Sequence, residues 1–78
     1  MAKLSAYGRT ELCRMEKIKE NGTKYTVVFM SDGSVLSKMS WKGYSGNWKK
    51  VKKYTTEGQK KAFDMYKNMG YNVIKGGM

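Results

Sequence analysis

Two dipeptides, Asn21-Gly22 and Asp32-Gly33, constrain the fold of this chain more than any other feature of the sequence. Both combine residue types that tolerate the backbone of a tight hairpin turn. Between them lie residues 24–30 (KYTVVFM), which are rich in β-branched and aromatic residues and favour a strand. A strand bounded by hairpin turns pairs with the segments before and after it. The sequence therefore predicts an antiparallel β-meander centred on residues 24–30.

Three further segments extend this meander. Residues 11–19 and 35–42 are the neighbouring strands that the two turns require. Residues 47–54 can form a fourth strand, after a loop over residues 43–46. The connections are short, so consecutive strands are expected to lie side by side.

After the fourth strand the pattern changes, and apolar residues recur at helical spacing across residues 57–68. Thr56 can cap this helix, with Gln59 completing a capping box, and Gly70 is placed to end it. Residues 71–75 can form a short fifth strand. We therefore predict an α+β fold, in which a four-stranded antiparallel β-meander is followed by one C-terminal helix packed on one face.

The length fits one small domain that spans residues 1–78. Residues 1–10 can form an N-terminal arm or a first short strand, with Gly8 as a bend. Residues 76–78 are expected to be a frayed tail.

Two-residue turns at both dipeptides would fix the register of the sheet. Met30 would then lie opposite Val35, and Trp41 opposite Trp48. One face would collect a strongly apolar set that seats the helix: Cys13, Met15, Val28, Met30, Val35, Met39, Trp41, Trp48 and Tyr54. The other face would collect a mixed set: Arg14, Glu16, Ile18, Tyr25, Val27, Phe29, Leu36, Lys38, Lys49, Val51 and Lys53. A one-residue slip in any strand would exchange its two faces.

A single helix covers only one side of a sheet. The mixed face would therefore stay exposed, be covered by the N-terminal arm, or be buried in a homodimer. An exposed sheet with central aromatic rings and peripheral cations is a common way to bind single-stranded nucleic acid.

The charge of the chain points to the same class of partner. Lys and Arg number 16 against 6 Asp and Glu, which gives a net charge of +10, and no acidic residue occurs from Gly33 to Thr56. Lysines neutralise phosphates, and aromatic rings offer faces on which bases stack. The predicted nucleic-acid-binding residues are Arg14, Tyr25, Phe29, Lys38, Lys42, Tyr44, Lys49, Lys50, Lys52 and Lys53.

These residues also have plainer structural interpretations. Tyr25 and Phe29 can pack in the core or in a dimer interface, and Trp41 with Trp48 is more typical of a cross-strand pair that stabilises the sheet. The lysines of residues 49–53 can protect an edge strand from aggregation. That role does not account for a net charge of +10, which favours a phosphate-facing surface.

The composition argues against an enzyme. The chain has no His and a single Cys, which leaves no Ser-His or Cys-His pair, no internal disulfide and no common zinc site. We predict no cofactor and no metal site. No apolar run approaches the roughly 20 residues of a membrane span, and the N-terminus lacks the apolar segment of a signal peptide. We expect a cytoplasmic protein without membrane contact.

In element order alone, four antiparallel strands followed by a helix are similar to a group of single-strand binders that includes the PUR and Whirly proteins. The resemblance implies dimers of such units and single-stranded ligands. The small size and high lysine content also resemble accessory proteins of phages or mobile elements.

Two functional hypotheses follow from the sequence. The first is a small non-catalytic protein that binds single-stranded DNA or RNA through an aromatic and lysine-rich sheet face, with weak sequence specificity. The second is a basic inhibitor or adaptor that docks on an acidic surface of a host protein through charge complementarity.

Overall fold

The structure is a computed structural model that describes residues 10–77. In chain order its elements are β1 (Glu11–Ile18), β2 (Lys24–Met30), β3 (Ser34–Trp41), β4 (Tyr44–Ser45), β5 (Lys49–Lys53), α1 (Thr56–Asn68) and β6 (Asn72–Gly76). The strands form one antiparallel sheet in the order β4-β3-β2-β1-β6, and β5 pairs with the same edge of β3 as β4 does. The predicted α+β fold, an antiparallel meander followed by one C-terminal helix, is confirmed. The short strand predicted near the C-terminus is β6.

The two ends of the chain are described only in part. The predicted arm or short strand over residues 1–10 lies outside the described residues, except for Thr10, whose N–H donates to Ser31 Oγ at 2.8 Å. Gly76, which was predicted to begin a frayed tail, is the last residue of β6 and pairs with Cys13. None of the described residues belongs to a helix long and apolar enough to cross a membrane.

Both predicted hairpin turns are present, but each loop has three residues where two were predicted. The first loop ends at Gly22, whose N–H donates to Lys19 O at 2.9 Å. The second ends at Gly33, whose N–H donates to Met30 O at 3.1 Å. The two glycines have φ values of 89° and 94°. This geometry is a type I turn followed by a left-handed residue, and glycine adopts that conformation without steric cost.

The extra loop residue shifts the register on both sides of β2. Phe29 lies opposite Cys13 in β1 and opposite Val35 in β3, which are the positions predicted for Met30. Because side chains alternate along a strand, this shift exchanges the two faces of β2.

The predicted faces of β2 are therefore wrong. Val27 and Phe29 are buried in the core beneath α1, and Tyr25 lies on the same side of the sheet. Val28 and Met30, which were predicted to seat the helix, are buried on the opposite face. Cys13 in β1 and Val35 in β3 lie on the face that packs against α1, as predicted.

The chain also departs from the prediction after β3. Lys42 and Gly43 form a two-residue turn, so Trp41 pairs with Tyr44 and not with Trp48. Beyond β4 the chain returns along the same edge of β3 as β5. Trp48 precedes β5 and packs on the face away from the helix, against the cluster Val28, Met30 and Leu36.

The helix α1 is capped one residue earlier than predicted. Its N-cap is Thr55, whose Oγ1 accepts from the Gly58 N–H at 3.1 Å. Gln59 does not complete a capping box. Its side chain is buried, and Nε2 donates to Met30 O at 2.8 Å and to Ser34 O at 3.4 Å. Gln59 thus joins α1 to the hairpin between β2 and β3.

The helix ends at Gly70 as predicted, with a φ of 98°. The Tyr71 N–H donates to Tyr66 O at 3.0 Å, and the Gly70 N–H donates to the carbonyl three residues earlier, also at 3.0 Å. These two bonds form a Schellman motif, which satisfies the last carbonyls of the helix. Lys17 Nζ donates to Met69 O at 2.6 Å and brings a positive charge to the negative end of the helix dipole.

The main core lies between α1 and the sheet. Its buried residues are Cys13, Met15, Val27, Phe29, Val35, Ala62 and Tyr66. The partly buried rings of Tyr54, Phe63 and Tyr71 pack around them. The ring of Phe29 meets Phe63 and Tyr66 edge-on, with centroids 6.1 and 6.0 Å away, which is a favourable aromatic arrangement.

Candidate nucleic-acid interface

A groove of about 530 Å³ opens on the helix side of the sheet, beside the C-terminal part of α1. We call it the aromatic groove. Its aromatic and apolar lining includes Tyr25, Met39, Trp41, Tyr44, Val51, Tyr66 and Tyr71. Its polar lining includes Ser37, Asn47 and Lys49. No carboxylate occurs among the described lining residues.

The most exposed aromatic rings of this groove belong to Trp41 and Tyr44. The two residues lie directly opposite each other across the two-residue turn between β3 and β4. Their ring centroids are 4.5 Å apart, and their planes are inclined at 32°. Trp41 is 43% exposed and Tyr44 is 52% exposed. The pair therefore leaves aromatic surface accessible to a flat ligand.

A second groove lies on the other side of this pair. It has a volume of about 340 Å³, and we call it the hairpin groove. Its lining residues are Ile18, Gly22, Lys24, Ser40, Trp41, Lys42, Gly43, Tyr44 and Ser45. Because Trp41 and Tyr44 line both grooves, the ring pair forms the ridge between them.

Cations surround this ridge. Lys49 lines the aromatic groove, and Lys24 and Lys42 line the hairpin groove. The Lys19 ammonium lies 5.2 Å from the centre of the Tyr25 ring, within cation–π range. Beside them runs β5 (Lys49–Lys53), in which every residue is exposed. A basic edge therefore adjoins the aromatic groove, which Lys49 and Val51 of this strand line.

Two carboxylates of the sheet are engaged by cations, one of which is Lys24 of the hairpin groove. Glu11 Oε1 lies 2.8 Å from Arg14 Nη2, and Glu16 Oε2 lies 3.7 Å from Lys24 Nζ. Neither carboxylate lines either groove. The grooves thus combine aromatic surface with a positive potential, which concentrates anions near them.

The tyrosines at the helix end of the aromatic groove stay neutral. Burial raises the pKa of Tyr66, and the neighbouring Tyr54 and Tyr71 raise it further. Burial is also the main cause of the raised pKa of Tyr71, with a smaller contribution from Tyr25. At neutral pH both phenols keep their protons, so each can donate and accept a hydrogen bond.

The structure brings five of the predicted binding residues to the two grooves. Four of them line the aromatic groove, Tyr25, Lys38, Tyr44 and Lys49, and Lys42 lines the hairpin groove. Phe29 is not among them, because it is fully buried in the core. The prediction that Phe29 lies on an exposed face is wrong, because the three-residue loops shift the register of β2.

Two of the predicted cations, Lys38 and Arg14, direct their charges to the opposite face. Lys38 contacts the aromatic groove, but its ammonium lies 4.7 Å from the centre of the Trp48 ring. The guanidinium of Arg14 lies 5.7 Å from the same ring. Trp48 is therefore flanked by two cations on the face away from the helix.

The remaining predicted residues lie along the edge strand β5. Lys50 pairs with Leu36, and Lys53 pairs with Ser34. Lys52 places its ammonium 5.3 Å from the centre of the Tyr54 ring. These lysines extend the basic edge but line neither groove.

Sequence reasoning missed several residues of the site. Trp41 was predicted to pair with Trp48 on the face that seats the helix. The Lys42-Gly43 step after Trp41 was a signal for a short turn, which would place Trp41 at the end of the sheet. Tyr71 follows the helix-ending glycine, where an apolar residue commonly packs back on the helix. Lys19 and Lys24 gave no signal, because their position depends on the three-residue loop between them.

The described residues hold no group of three or more His, Cys, Asp or Glu placed to bind a metal. Cys13 is buried beneath α1. Burial raises the pKa of its thiol, and Glu11 raises it further, so the thiol stays protonated and unreactive at neutral pH.

Comparisons of the chain with protein-family models, with curated proteins and with solved structures give no match.

Proposed function

We propose that this protein is a small non-catalytic nucleic-acid-binding protein that binds single-stranded DNA or RNA with weak sequence preference. The observation that carries the proposal is the exposed Trp41–Tyr44 ring pair, set between two grooves that lysines line and carboxylates do not. Rings of this kind stack on bases of any sequence, and lysines neutralise the phosphates between the bases.

A single strand fits this surface better than a duplex. Stacking on Trp41 or Tyr44 needs a base whose face is free, and bases in a duplex already stack on their neighbours. The helix α1 is poorly suited to enter a major groove, because Glu57 and Asp64 are exposed on it and would meet phosphates. The proposed ligand is therefore an unpaired strand that crosses the ring pair.

The proposed binding has no catalytic step, and we place it in the cytoplasm. Nucleic acid is accessible there, and the lone thiol of Cys13 stays reduced. Because lysines act as point charges on phosphates, affinity should depend on counterion release and fall steeply with salt.

The test is the binding of labelled single-stranded DNA, single-stranded RNA and duplex DNA across a salt series, measured by fluorescence anisotropy on nucleic-acid-free protein. We expect both single strands to bind more tightly than the duplex, and affinity to fall linearly with salt on a double logarithmic plot. Tyr44→Ala should weaken single-strand binding, whereas Tyr54→Phe should not. Absence of binding at low salt would overturn the proposal.

A second candidate, an adaptor for an acidic protein surface, has one observation in its favour. Met39, Trp41 and Tyr44 are exposed together, and these residue types are enriched at protein interfaces. The discriminating measurement is a pull-down from lysate with and without nuclease. A partner protein retained after nuclease treatment, together with absence of oligonucleotide binding, would favour the adaptor.

A further inference from the structure

We propose that the aromatic groove receives one unpaired nucleobase of the bound strand, which packs between the ring of Trp41 and the tyrosines beside α1. The inference rests on the proposed function and adds to it a specific base-binding subsite. The protein would then recognise an unpaired base directly, in addition to the phosphates that hold the strand.

The size and lining of the groove admit a flat heterocycle. Its volume of about 530 Å³ lies within the range of sites that enclose small organic ligands. Trp41 lies toward the β4 end of the groove, and Tyr25 and Tyr71 lie toward the helix. Aromatic side chains bind an unpaired base by stacking, whereas a phosphate gains nothing from them.

Polar groups are placed to meet the edge of such a base. Ser37 and Asn47 line the same groove, and neither side chain makes a hydrogen bond within residues 10–77. A hydroxyl and a carboxamide can both donate and accept, so they can satisfy the donors and acceptors of different bases. This adaptability agrees with weak sequence preference.

The charges beside the aromatic groove indicate that the ligand also carries a negative group. Lys49 lines the groove, and the exposed strand β5 begins at that residue. No described carboxylate lines the groove to repel an anion. A ligand with an aromatic ring joined to negative charge is thus favoured over a neutral aromatic compound, and a nucleotide within a strand has that composition.

The two tryptophans allow a direct test, because Trp41 lines the groove and Trp48 lies on the opposite face. Trp48→Phe leaves Trp41 as the only tryptophan, and Trp41→Phe leaves Trp48 as a matched control. Each variant is titrated at low salt with a short oligothymidylate and with an abasic strand of the same length. We expect oligothymidylate to quench Trp41 strongly and Trp48 little.

The abasic strand separates this inference from the proposed function. It should bind roughly 5- to 150-fold more weakly than oligothymidylate, as expected for the loss of one stacked base. Ser37→Leu, which fills the groove, should reduce oligothymidylate affinity toward that of the abasic strand without changing abasic binding. Circular dichroism and thermal unfolding would verify that this variant is folded.

Four results would overturn the inference. Equal affinity for the two strands would remove the base-binding subsite and base stacking on the Trp41–Tyr44 pair, and would leave only phosphate binding standing. Quenching of Trp48 alone would place the strand on the opposite face. Absence of binding by either strand would overturn both proposals. If Trp41 were quenched only by an acidic peptide that contains phenylalanine, the groove would be assigned to a protein side chain.

Discussion

The ring of Tyr71 packs edge-on against the ring of Tyr66, with centroids 5.0 Å apart and planes at 68°. The contact belongs to the Schellman motif that ends α1, in which the Tyr71 N–H donates to Tyr66 O. The same residue lines the aromatic groove and directly precedes β6. A local helix-ending motif thus positions one wall of the groove and directs the chain into the last strand.

Ionisation of these two phenols should make the free energy of unfolding depend on pH in the alkaline range. Burial raises the pKa of both above the ordinary value of 10.0, whereas in the unfolded chain they ionise near that value. Above pH 10 the unfolded state therefore binds fewer protons than the folded state, and the free energy of unfolding falls as pH rises. Below pH 10 both states keep the protons, and the contribution is constant.

The measurement is urea denaturation from pH 8 to pH 11 for the parent and for Tyr71→Phe. The two chains differ only in the hydroxyl of residue 71, so the comparison isolates this phenol. We expect the free energy of unfolding to fall less steeply with pH in Tyr71→Phe. Identical slopes would show that this phenol ionises equally in the folded and unfolded chains.

The hairpin glycines provide a matched pair of substitutions. Gly22 and Gly33 both end three-residue loops with positive φ, so alanine at either position should cost about 1–2 kcal/mol in backbone strain. A Cβ at Gly22 would meet no atom within 4 Å, whereas a Cβ at Gly33 would clash with the backbone oxygen of Tyr54. Gly33→Ala should therefore lose a further 1–3 kcal/mol, roughly the cost of overpacking.

Urea denaturation of both variants tests this difference. Because a domain of this size has a stability of only a few kcal/mol, Gly33→Ala should be largely unfolded at 37 °C, while Gly22→Ala should remain folded. Equal losses for the two substitutions would indicate that the β2–β3 loop can move away from Tyr54.

These loops also show what the sequence could and could not predict. The dipeptides at Gly22 and Gly33 located both hairpins correctly, since asparagine, aspartate and glycine favour the same turn conformations in several loop types. They did not determine whether each loop has two residues or three. One residue per loop is enough to exchange the faces of β2, which moved Phe29 from the predicted binding face into the core.

The site was predicted in its composition more than in its geometry. The lysines of β5 and Tyr44 of β4 were identified from local sequence, since both are exposed beside short turns or at the sheet edge. The role of Trp41 depends on its pairing partner across the Lys42-Gly43 turn, and a lysine-glycine step is a weak turn signal. Long-range register thus decided which aromatic residues are accessible.

The core position of Phe29 gives a further prediction. Phe29→Ala should lose about 3–5 kcal/mol of stability, because it removes a fully buried ring that packs against Phe63 and Tyr66. Phe29→Leu should remain folded and bind single strands as the parent does. Tyr25→Ala should remain folded and bind more weakly, since Tyr25 lines the aromatic groove.

Thermal unfolding and anisotropy on the same samples would separate the two effects. If folded Phe29→Leu protein lost single-strand binding while Tyr25→Ala retained it, the binding surface would be sought elsewhere on the molecule.

The lysines near the grooves should contribute to salt dependence individually. Lys49→Gln and Lys60→Gln remove the same charge, but Lys49 lines the aromatic groove, whereas Lys60 is exposed on α1 and lines neither groove. Loss of one phosphate contact should reduce the slope of log affinity against log salt by about 0.7 for a single strand. We expect this reduction for Lys49→Gln and almost none for Lys60→Gln, measured by anisotropy across the salt series. Equal reductions would mean that the net charge of the whole chain drives binding, without a localised phosphate path along the aromatic groove.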